Sequence, residues 1–320
     1  MQNTESQLET ITSNGLTWID IQKPTRNTIE LLGKRYHFHE LNLDDCLSKT
    51  QVPKVDTYND HIFIILNFPT VTDRKGTKIL SFSQLAIFVG LNFLVTVHQG
   101  DLAPLVEMVQ MCKQDWRQRK EYMGRSSGYL LHTILDIMVD DLLHILMKIV
   151  GNLEDIEDAV FDDKVVVAKE ISHLRREIMV LRRAVIPLRR IIAQIIKYVQ
   201  FFSEEEDLTQ YFNDIQDHVN KVIEASEESK ETINIYKDAH FVQSTEKSNK
   251  ILAILTILFT LSVPVTVIAT FYGMNIDLQG DINHPWTSLS QYTTMLFVII
   301  GPAVSASIMT WYFYKVGWLR

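Results

Sequence analysis

The chain of 320 residues carries 31 Lys and Arg against 39 Asp and Glu, which gives a formal net charge of −8, and 46% of its residues are hydrophobic. The length allows two or three domains, and the composition excludes a disordered or low-complexity chain. The acidic balance argues against a nucleic-acid partner and favours cation binding. The two cysteines, Cys46 and Cys112, lack CxxC spacing, so neither a disulfide scaffold nor a zinc knuckle is predicted.

The first part of the chain, residues 1–122, predicts a cytoplasmic α/β domain. Its first ten residues are polar and lack the basic flank and apolar stretch of a signal peptide, so we expect the N-terminus to stay in the cytoplasm. A helix is predicted over residues 102–122, followed by a boundary rich in Gly and Ser. Four strand-like runs precede this helix: residues 18–21, 61–68, 79–88 and 93–98.

The second part, residues 123–250, has the periodicity of helices. Apolar residues recur at steps of three and four over residues 129–161, and a second helical pattern over residues 167–202 predicts a helical hairpin. Residues 207–272 contain no Gly, and no Pro before Pro264, so we expect one stalk helix of about 100 Å that enters a membrane directly.

Two charge patterns within these helices each allow two interpretations. Arginine doublets recur every seven residues at 175–176, 182–183 and 189–190, which keeps them near one helix face. They either pair with acids of neighbouring helices or form a stripe that binds phosphate or lipid. Carboxylates at residues 154–163, 204–207 and 224–231 are either ordinary helix surface or a low-affinity sensor of divalent cations.

Two uncharged runs at the C-terminal end predict transmembrane helices over residues 251–272 and 292–314. Each is long enough to cross a bilayer core of about 30 Å. The intervening loop, residues 273–291, has no Lys or Arg, whereas basic residues flank both runs on the other side. By the positive-inside rule, both termini, including the tail at residues 315–320, face the cytoplasm of a multi-pass cell-membrane protein. The flanking basic residues are Lys247, Lys250, Lys315 and Arg320.

Two helices per chain cannot enclose an aqueous path, so transport requires several copies around one axis. Small residues in the second run suit close packing, and hydroxyls in the first make it the better pore candidate. Alternatively, these hydroxyls only bond to carbonyls of their own helix. The hydroxyl residues are Thr256, Thr260, Ser262, Thr266 and Thr270.

No motif of a nucleotide hydrolase or nucleophilic enzyme occurs, so no enzyme is predicted.

Directly after the first run come Gly273, Met274 and Asn275. With this triplet, two C-terminal spans and a large acidic cytoplasmic part, the chain resembles the CorA family of magnesium channels and transporters. The stretches at residues 129–141 and 180–190 and the basic-aromatic end at 314–318 follow the order of that family. The resemblance covers nearly the whole chain.

The resemblance implies an α+β membrane protein that forms a funnel-shaped homopentamer. Each copy would have an N-terminal α/β cytoplasmic domain, a long helical hairpin, a stalk helix and two C-terminal transmembrane helices. It also implies passive uptake of Mg²⁺, driven by the membrane potential and gated by intracellular Mg²⁺. The ion would thus be both cargo and regulator, without an organic cofactor and with the bilayer and further copies of the chain as partners.

The resemblance also assigns roles to residues. Gly273, Met274 and Asn275 would form the outer ring that selects the hydrated ion, and Asp238 would bind regulatory Mg²⁺ together with a neighbour's carboxylate, for which Asp73 is our suggestion. The family's pore-lining positions fall near one helical face, to which we add the hydroxyl of Thr256. These positions are Asn249, Leu252, Leu255, Val263 and Thr266.

The sequence departs from the family where many members continue with Met-Pro-Glu. Here residues 276–281 follow the triplet, and Asp277 and Asp281 would supply the acidity of the external loop. Two alternatives therefore stay open: a transporter of Zn²⁺, Co²⁺ or Ni²⁺ with the same architecture, or a membrane-anchored scaffold that transports nothing.

Overall fold

The computed structural model describes residues 7–48, 51–74, 77–162, 167–198, 207–274 and 293–316, which group into two compact units, Met1–Asp238 and Ala239–Arg320. The strands are β1 (Gln7–Ser13), β2 (Leu16–Gln22), β3 (Lys54–Thr57), β4 (His61–Arg74), β5 (Thr77–Gly90) and β6 (Phe93–His98). The helices are α1 (Arg26–Tyr36), α2 (Glu40–Leu47), α3 (Ala103–Gln114), α4 (Trp116–Met123), α5 (Ser127–Phe161), α6 (Ala168–Tyr198), α7 (Thr209–Tyr272) and α8 (Thr293–Val316).

The six described strands form one sheet in the order β1-β2-β6-β5-β4-β3. The pairing of β2 with β6 is parallel, and the other four pairings are antiparallel. The central strands are β6 and β5, and β5 forms a long hairpin with β4, each strand having 14 residues. This mixed sheet confirms the predicted α/β character of the N-terminal part.

Helices cover both faces of the sheet. On one face, Phe38 stacks on Phe88 with ring centroids 4.0 Å apart, and α1 adds Ile29 and Leu32, and α2 Cys46, to the same core. On the other face, α5 and α6 pack against β4 and β5. Because both faces are buried, β4 is a continuous apolar run and does not alternate with polar residues.

Strand β1 was not predicted from the sequence. It pairs with β2 through a two-residue turn in which Asn14 (φ 47°) and Gly15 (φ 80°) both adopt the left-handed region. An Asn-Gly pair is the strongest local signal of such a hairpin, so the signal was present. The strand lacks apolar alternation, since Leu8 is exposed and Ile11 is buried.

The single helix predicted over residues 102–122 was wrong, because α3 and α4 are separate. Asp115 between them is extended (φ −117°, ψ 117°), and its carboxylate accepts a hydrogen bond of 2.8 Å from the backbone N–H of Arg117. The side chain of Arg119 donates to the carbonyls of Cys112 and Lys113, at 2.7 and 3.0 Å. The Asp115 N-cap of α4 and the Arg119 donors to the last carbonyls of α3 thus stabilise the break between the two helices.

The long helices follow the predicted pattern. Helix α5 begins where Ser126 accepts a hydrogen bond from Tyr129, and α7 begins where Asp207 accepts one from Thr209. Helix α7 has 64 residues and continues through Pro264. The predicted boundary at residue 122 lies near the end of α4, inside the first compact unit, and remains a prediction as a domain boundary.

A carboxylate is buried in the middle of the sheet with a full set of donors. Asp20, 1% exposed, accepts hydrogen bonds from Thr96 Oγ1 at 2.5 Å, from Gln22 Nε2 at 3.1 Å and from the ring of His98 at 3.2 Å. The indole of Trp18 donates to Thr96 in turn, at 3.1 Å. Because β2 and β6 are parallel neighbours, this network ties the two strands together through their side chains.

We expect Asp20→Ala to lower the free energy of unfolding by about 3 kcal/mol, because it leaves several buried donors without an acceptor. Thermal unfolding of the detergent-solubilised chain measures the effect. Glu30→Ala is the control: Glu30 pairs with Arg26 on an exposed surface, and its loss should change stability by no more than about 0.5 kcal/mol. Equal effects of the two substitutions would show that the network contributes little.

Candidate functional site

Within the described residues, one helix, α7, is long and apolar enough to cross a membrane. The most apolar part of α7 has a mean hydropathy of 2.5, and none of it is buried inside the chain. Large apolar side chains are exposed over most of its circumference, among them Leu258 (59%) and Phe259 (67%), whereas the face with Ile257, Leu261 and Ile268 is half-buried. A helix that is apolar all round requires lipid or other helices as its surroundings.

The predicted pore-lining side chains lie in this part of α7. Leu252, Leu255 and Val263 are 58%, 44% and 54% exposed, and Asn249 and Thr266 are also exposed. The part of the chain that the structure describes therefore leaves these side chains largely uncovered, and their orientation toward a pore remains a prediction.

The hydroxyls of α7 bond to their own helix, as the alternative interpretation held. Thr256 Oγ1 donates to the carbonyl of Leu252 at 2.8 Å, and Thr266 Oγ1 donates to that of Ser262 at 2.9 Å. Thr260 and Thr270 make the same bond. A hydroxyl that donates in this way keeps its oxygen lone pairs free as acceptors. The apolar segment of α7 thus presents neutral oxygen acceptors, while the protons of these threonine hydroxyls are bound by carbonyls of the same helix.

The Gly-Met-Asn triplet begins where α7 ends. The backbone N–H of Gly273 bonds to the carbonyl of Ala269 at 2.9 Å, and a Cβ on Gly273 would lie 3.1 Å from that same oxygen. A larger residue here would press on the last turn, so glycine allows the tight helix end. Met274 is 48% exposed. Asn275, Asp277 and Asp281 lie outside the described residues.

A second group of residues with metal-binding chemistry lies between α5 and α7. Asp136 and Asp140, one turn apart on α5, and His218 on α7 place their ligand atoms within 4.8 Å of one another. The Nδ1 atom of His218 is buried and has no hydrogen-bond partner among the described residues. We call these three residues the α5–α7 cluster. Its two carboxylates and one imidazole match the oxygen and nitrogen ligands of divalent cations.

Burial and neighbouring acids disfavour the charged form of Asp136 in the α5–α7 cluster. Burial raises the pKa of Asp136, and Asp140 and Asp214 raise it further, against the opposite effect of His218. One turn earlier on α5, burial lowers the pKa of His132, which Asp214 opposes. His132 packs on the rings of Tyr211 and Phe212 of α7. A divalent cation would therefore find acids held near one another beside an imidazole ligand.

The α5–α7 cluster was not predicted from the sequence, which singled out Asp238 and Asp73 as the regulatory pair. Asp238 is exposed on α7, and the backbone of Asp73 pairs with Lys78 in the hairpin of β4 and β5. Their joint role remains a prediction. The only signal for the cluster was the four-residue spacing of Asp136 and Asp140, which many exposed helices share.

The sequence matches the family described as "CorA-like Mg2+ transporter protein" over residues 13–315. It is 28% identical to the cobalt/magnesium transport protein CorA of Thermotoga maritima, over 98% of this chain and 87% of that protein. The solved CorA magnesium transporter from Methanocaldococcus jannaschii has a TM-score of 0.75 and 22% identity, and the match covers 97% of this chain and 94% of that one. The cytoplasmic domain of ZntB from Vibrio parahaemolyticus has a TM-score of 0.60 and 14% identity, with 75% and 98% covered.

The mixed sheet, the long helical hairpin and a helix suited to cross a bilayer define a membrane protein with a large part outside the membrane. The chain belongs to the CorA-like Mg²⁺ transporter family, whose members are divalent cation transporters of membranes. The resemblance and the fold predicted from the sequence are thereby confirmed.

We expect Mg²⁺ to raise the melting temperature of the wild-type chain, and Asp136→Asn to remove most of that increase. Binding to the folded state alone adds about 1.4 kcal/mol at a cation concentration tenfold above Kd. Because the pKa of Asp136 is raised, its charged form is disfavoured in the fold, so Asp136→Asn should also raise the melting temperature slightly in a chelator at neutral pH. Thermal unfolding with MgCl₂ or EDTA measures both effects.

The matched control is Asp217→Asn, an exposed aspartate beside His218 that does not belong to the α5–α7 cluster. Its response to Mg²⁺ should equal that of the wild type. A response that survives Asp136→Asn but not Asp217→Asn would place the cation elsewhere.

Proposed function

We propose that several copies of this chain form a channel through which Mg²⁺ enters the cell, and that Mg²⁺ bound in the cytoplasm closes it. The observation that carries the proposal is the continuity of α7. A single helix of 64 residues contains His218 of the α5–α7 cluster near one end and the apolar segment at the other, and Gly273 follows directly. The cluster and the membrane part thus share one continuous helix.

The proposed pore is made by the apolar segments of α7 from neighbouring copies, five in the expected homopentamer. Two helices per chain cannot enclose water, so the uncovered side chains must meet those of other copies or lipid. Leu252, Leu255 and Val263 would form apolar constrictions that stop conduction by dewetting. The free acceptor oxygens of Thr256 and Thr266 suit a cation that passes with its water shell.

The outer mouth would select the ion through Asn275 and the backbone of Gly273. Mg²⁺ releases its water shell reluctantly, so a ring of neutral carboxamide oxygens can hold the hydrated ion without trapping it. Asp277 and Asp281 of the external loop would concentrate cations there. The second span, which we propose for α8, would put both chain termini in the cytoplasm, and exposed Trp311 and Tyr314 suit the membrane interface.

The driving force would be the membrane potential. A divalent ion that moves inward gains about 4.6 kcal/mol per 100 mV of inside-negative potential, twice the value of one elementary charge. Uptake would therefore be passive and would not need nucleotide hydrolysis.

Regulation would come from cytoplasmic Mg²⁺. Bound at the α5–α7 cluster, and between Asp238 and Asp73 of a neighbour, the ion would hold the stalk helices in the closed arrangement. Its loss would release carboxylates that repel one another, and the open arrangement would become populated. Such feedback needs only that the closed state binds Mg²⁺ better than the open state.

We expect Asn275→Ala to lower Mg²⁺ flux into liposomes at least about tenfold, the effect of losing about 1.4 kcal/mol of ion binding. A fluorescent Mg²⁺ indicator inside liposomes, at a fixed potential and without ATP, measures the flux. Asn234→Ala, which changes an exposed asparagine of the cytoplasmic part of α7, is the control and should conduct like the wild type. Unchanged flux through Asn275→Ala would contradict the proposed mouth.

A transporter of Zn²⁺, Co²⁺ or Ni²⁺ is the second candidate, because the unpartnered ring nitrogen of His218 is a ligand that these metals prefer. The same liposomes decide between the two candidates. Hexaamminecobalt, which imitates hydrated Mg²⁺, should block a path for hydrated ions and should not block one that strips the ion. A reconstituted oligomer without flux of any of these ions would support the remaining alternative, a membrane-anchored scaffold that transports nothing.

A further inference from the structure

One face of α6 carries basic and apolar side chains at alternating steps of three and four residues. At 100° per residue these positions fall within about 80° of one another, opposite the buried residues that pack on the rest of the chain. The face has five residues, and all of them are exposed, including the apolar Met179 (39%) and Ile186 (45%). We call this face the basic stripe: Arg176, Met179, Arg183, Ile186 and Arg190.

The structure separates the arginine doublets into two kinds. Arg182 forms an ion pair with Glu227 of α7, so pairing inside the chain accounts for that arginine. In the part of the chain that the structure describes, Arg176 and Arg183 form no ion pair, and Arg190 only donates to the carbonyl of Pro53 at 3.4 Å. Charged residues alternating with exposed apolar ones are typical of a helix surface that packs against another helix.

Helix α5 carries a face of the same length and opposite charge. Its positions follow steps of four, three, four and three residues, and both faces extend over about 21 Å. Met147 is 69% and Phe161 57% exposed, and a Cβ on Gly151 would meet nothing within 4 Å. The centre of this face is therefore open to a close approach. We call it the acidic stripe: Met147, Gly151, Glu154, Asp158 and Phe161.

We propose that the basic stripe of one copy packs against the acidic stripe of the next copy. Among the described residues no ion pair joins the two stripes: the basic stripe lies opposite the buried residues of α6, whereas Phe161, at one end of the acidic stripe, packs on the ring of Tyr236 of α7 at 6.3 Å. A contact between two different surfaces is head-to-tail and closes into a ring when repeated around an axis. The acidic stripe and the net charge of −8 disfavour an anionic membrane as the alternative occupant. This contact rests on the proposed function in that several copies assemble.

Disulfide crosslinking of the full-length chain tests the contact. Two chains with different tags, one with Arg183→Cys and the other with Glu154→Cys, are expressed together and oxidised in membranes. A mixed disulfide dimer should form, whereas either variant alone should not crosslink, because the contact is not between like surfaces. The native cysteines, Cys46 and Cys112, are buried and do not interfere. Lys120→Cys in place of Arg183→Cys is the control.

Charge reversal gives an independent measurement. Arg183→Glu or Glu154→Arg alone should raise the protein concentration at which the detergent-solubilised oligomer half dissociates by at least about tenfold, because like charges then meet. The double variant should restore assembly. Lys120→Glu, an exposed reversal outside the stripe, should have no effect.

Three results would overturn the contact: no mixed disulfide above that of Lys120→Cys, a double variant no better than the single ones, or an Arg183→Glu chain that assembles normally but loses binding to anionic vesicles. The proposed function fails differently. Crosslinked oligomers without Mg²⁺ flux would contradict only the channel, and flux without crosslinking would contradict only this contact.

Discussion

The apolar segment of α7, most of whose side chains are exposed, is the constraint on which the rest of the protein depends. None of its most apolar part is buried, yet its backbone and its threonine hydroxyls are satisfied inside the helix. Such a segment needs no polar partner, and only its exposure to water is unfavourable. It is therefore stable in a bilayer or against other apolar helices.

Two partly or fully buried aspartates show how the same side chain can serve the fold or a ligand. Asp20 lies in the sheet with hydroxyl, amide and imidazole donors around it, so its charge is satisfied within the chain. Asp136 lies between helices next to Asp140 and a ring nitrogen without a partner, and its pKa is raised. The first arrangement stabilises a fold, whereas the second leaves a negative charge that a cation can compensate.

Much of the fold followed from local patterns, and the failures have identifiable causes. The long helices were found because their apolar residues repeat over many turns. Strand β1 was missed because it lies at the sheet edge and lacks alternation, although its Asn-Gly turn was a usable signal. The break between α3 and α4 was missed because the helical periodicity continues across Asp115, whose carboxylate stabilises a new helix start.

By itself, the sequence determined the apolar segments, the length of α7 and the position of the Gly-Met-Asn triplet at its end. These properties depend on residues close together in the chain, where hydropathy and periodicity act. Only the tertiary structure decided that Asp136 and Asp140 meet His218, and that Arg182 pairs with Glu227. Those facts depend on how α5, α6 and α7 pack against one another, and residues 45 to 82 positions apart in the chain leave no local pattern from which their contact can be predicted.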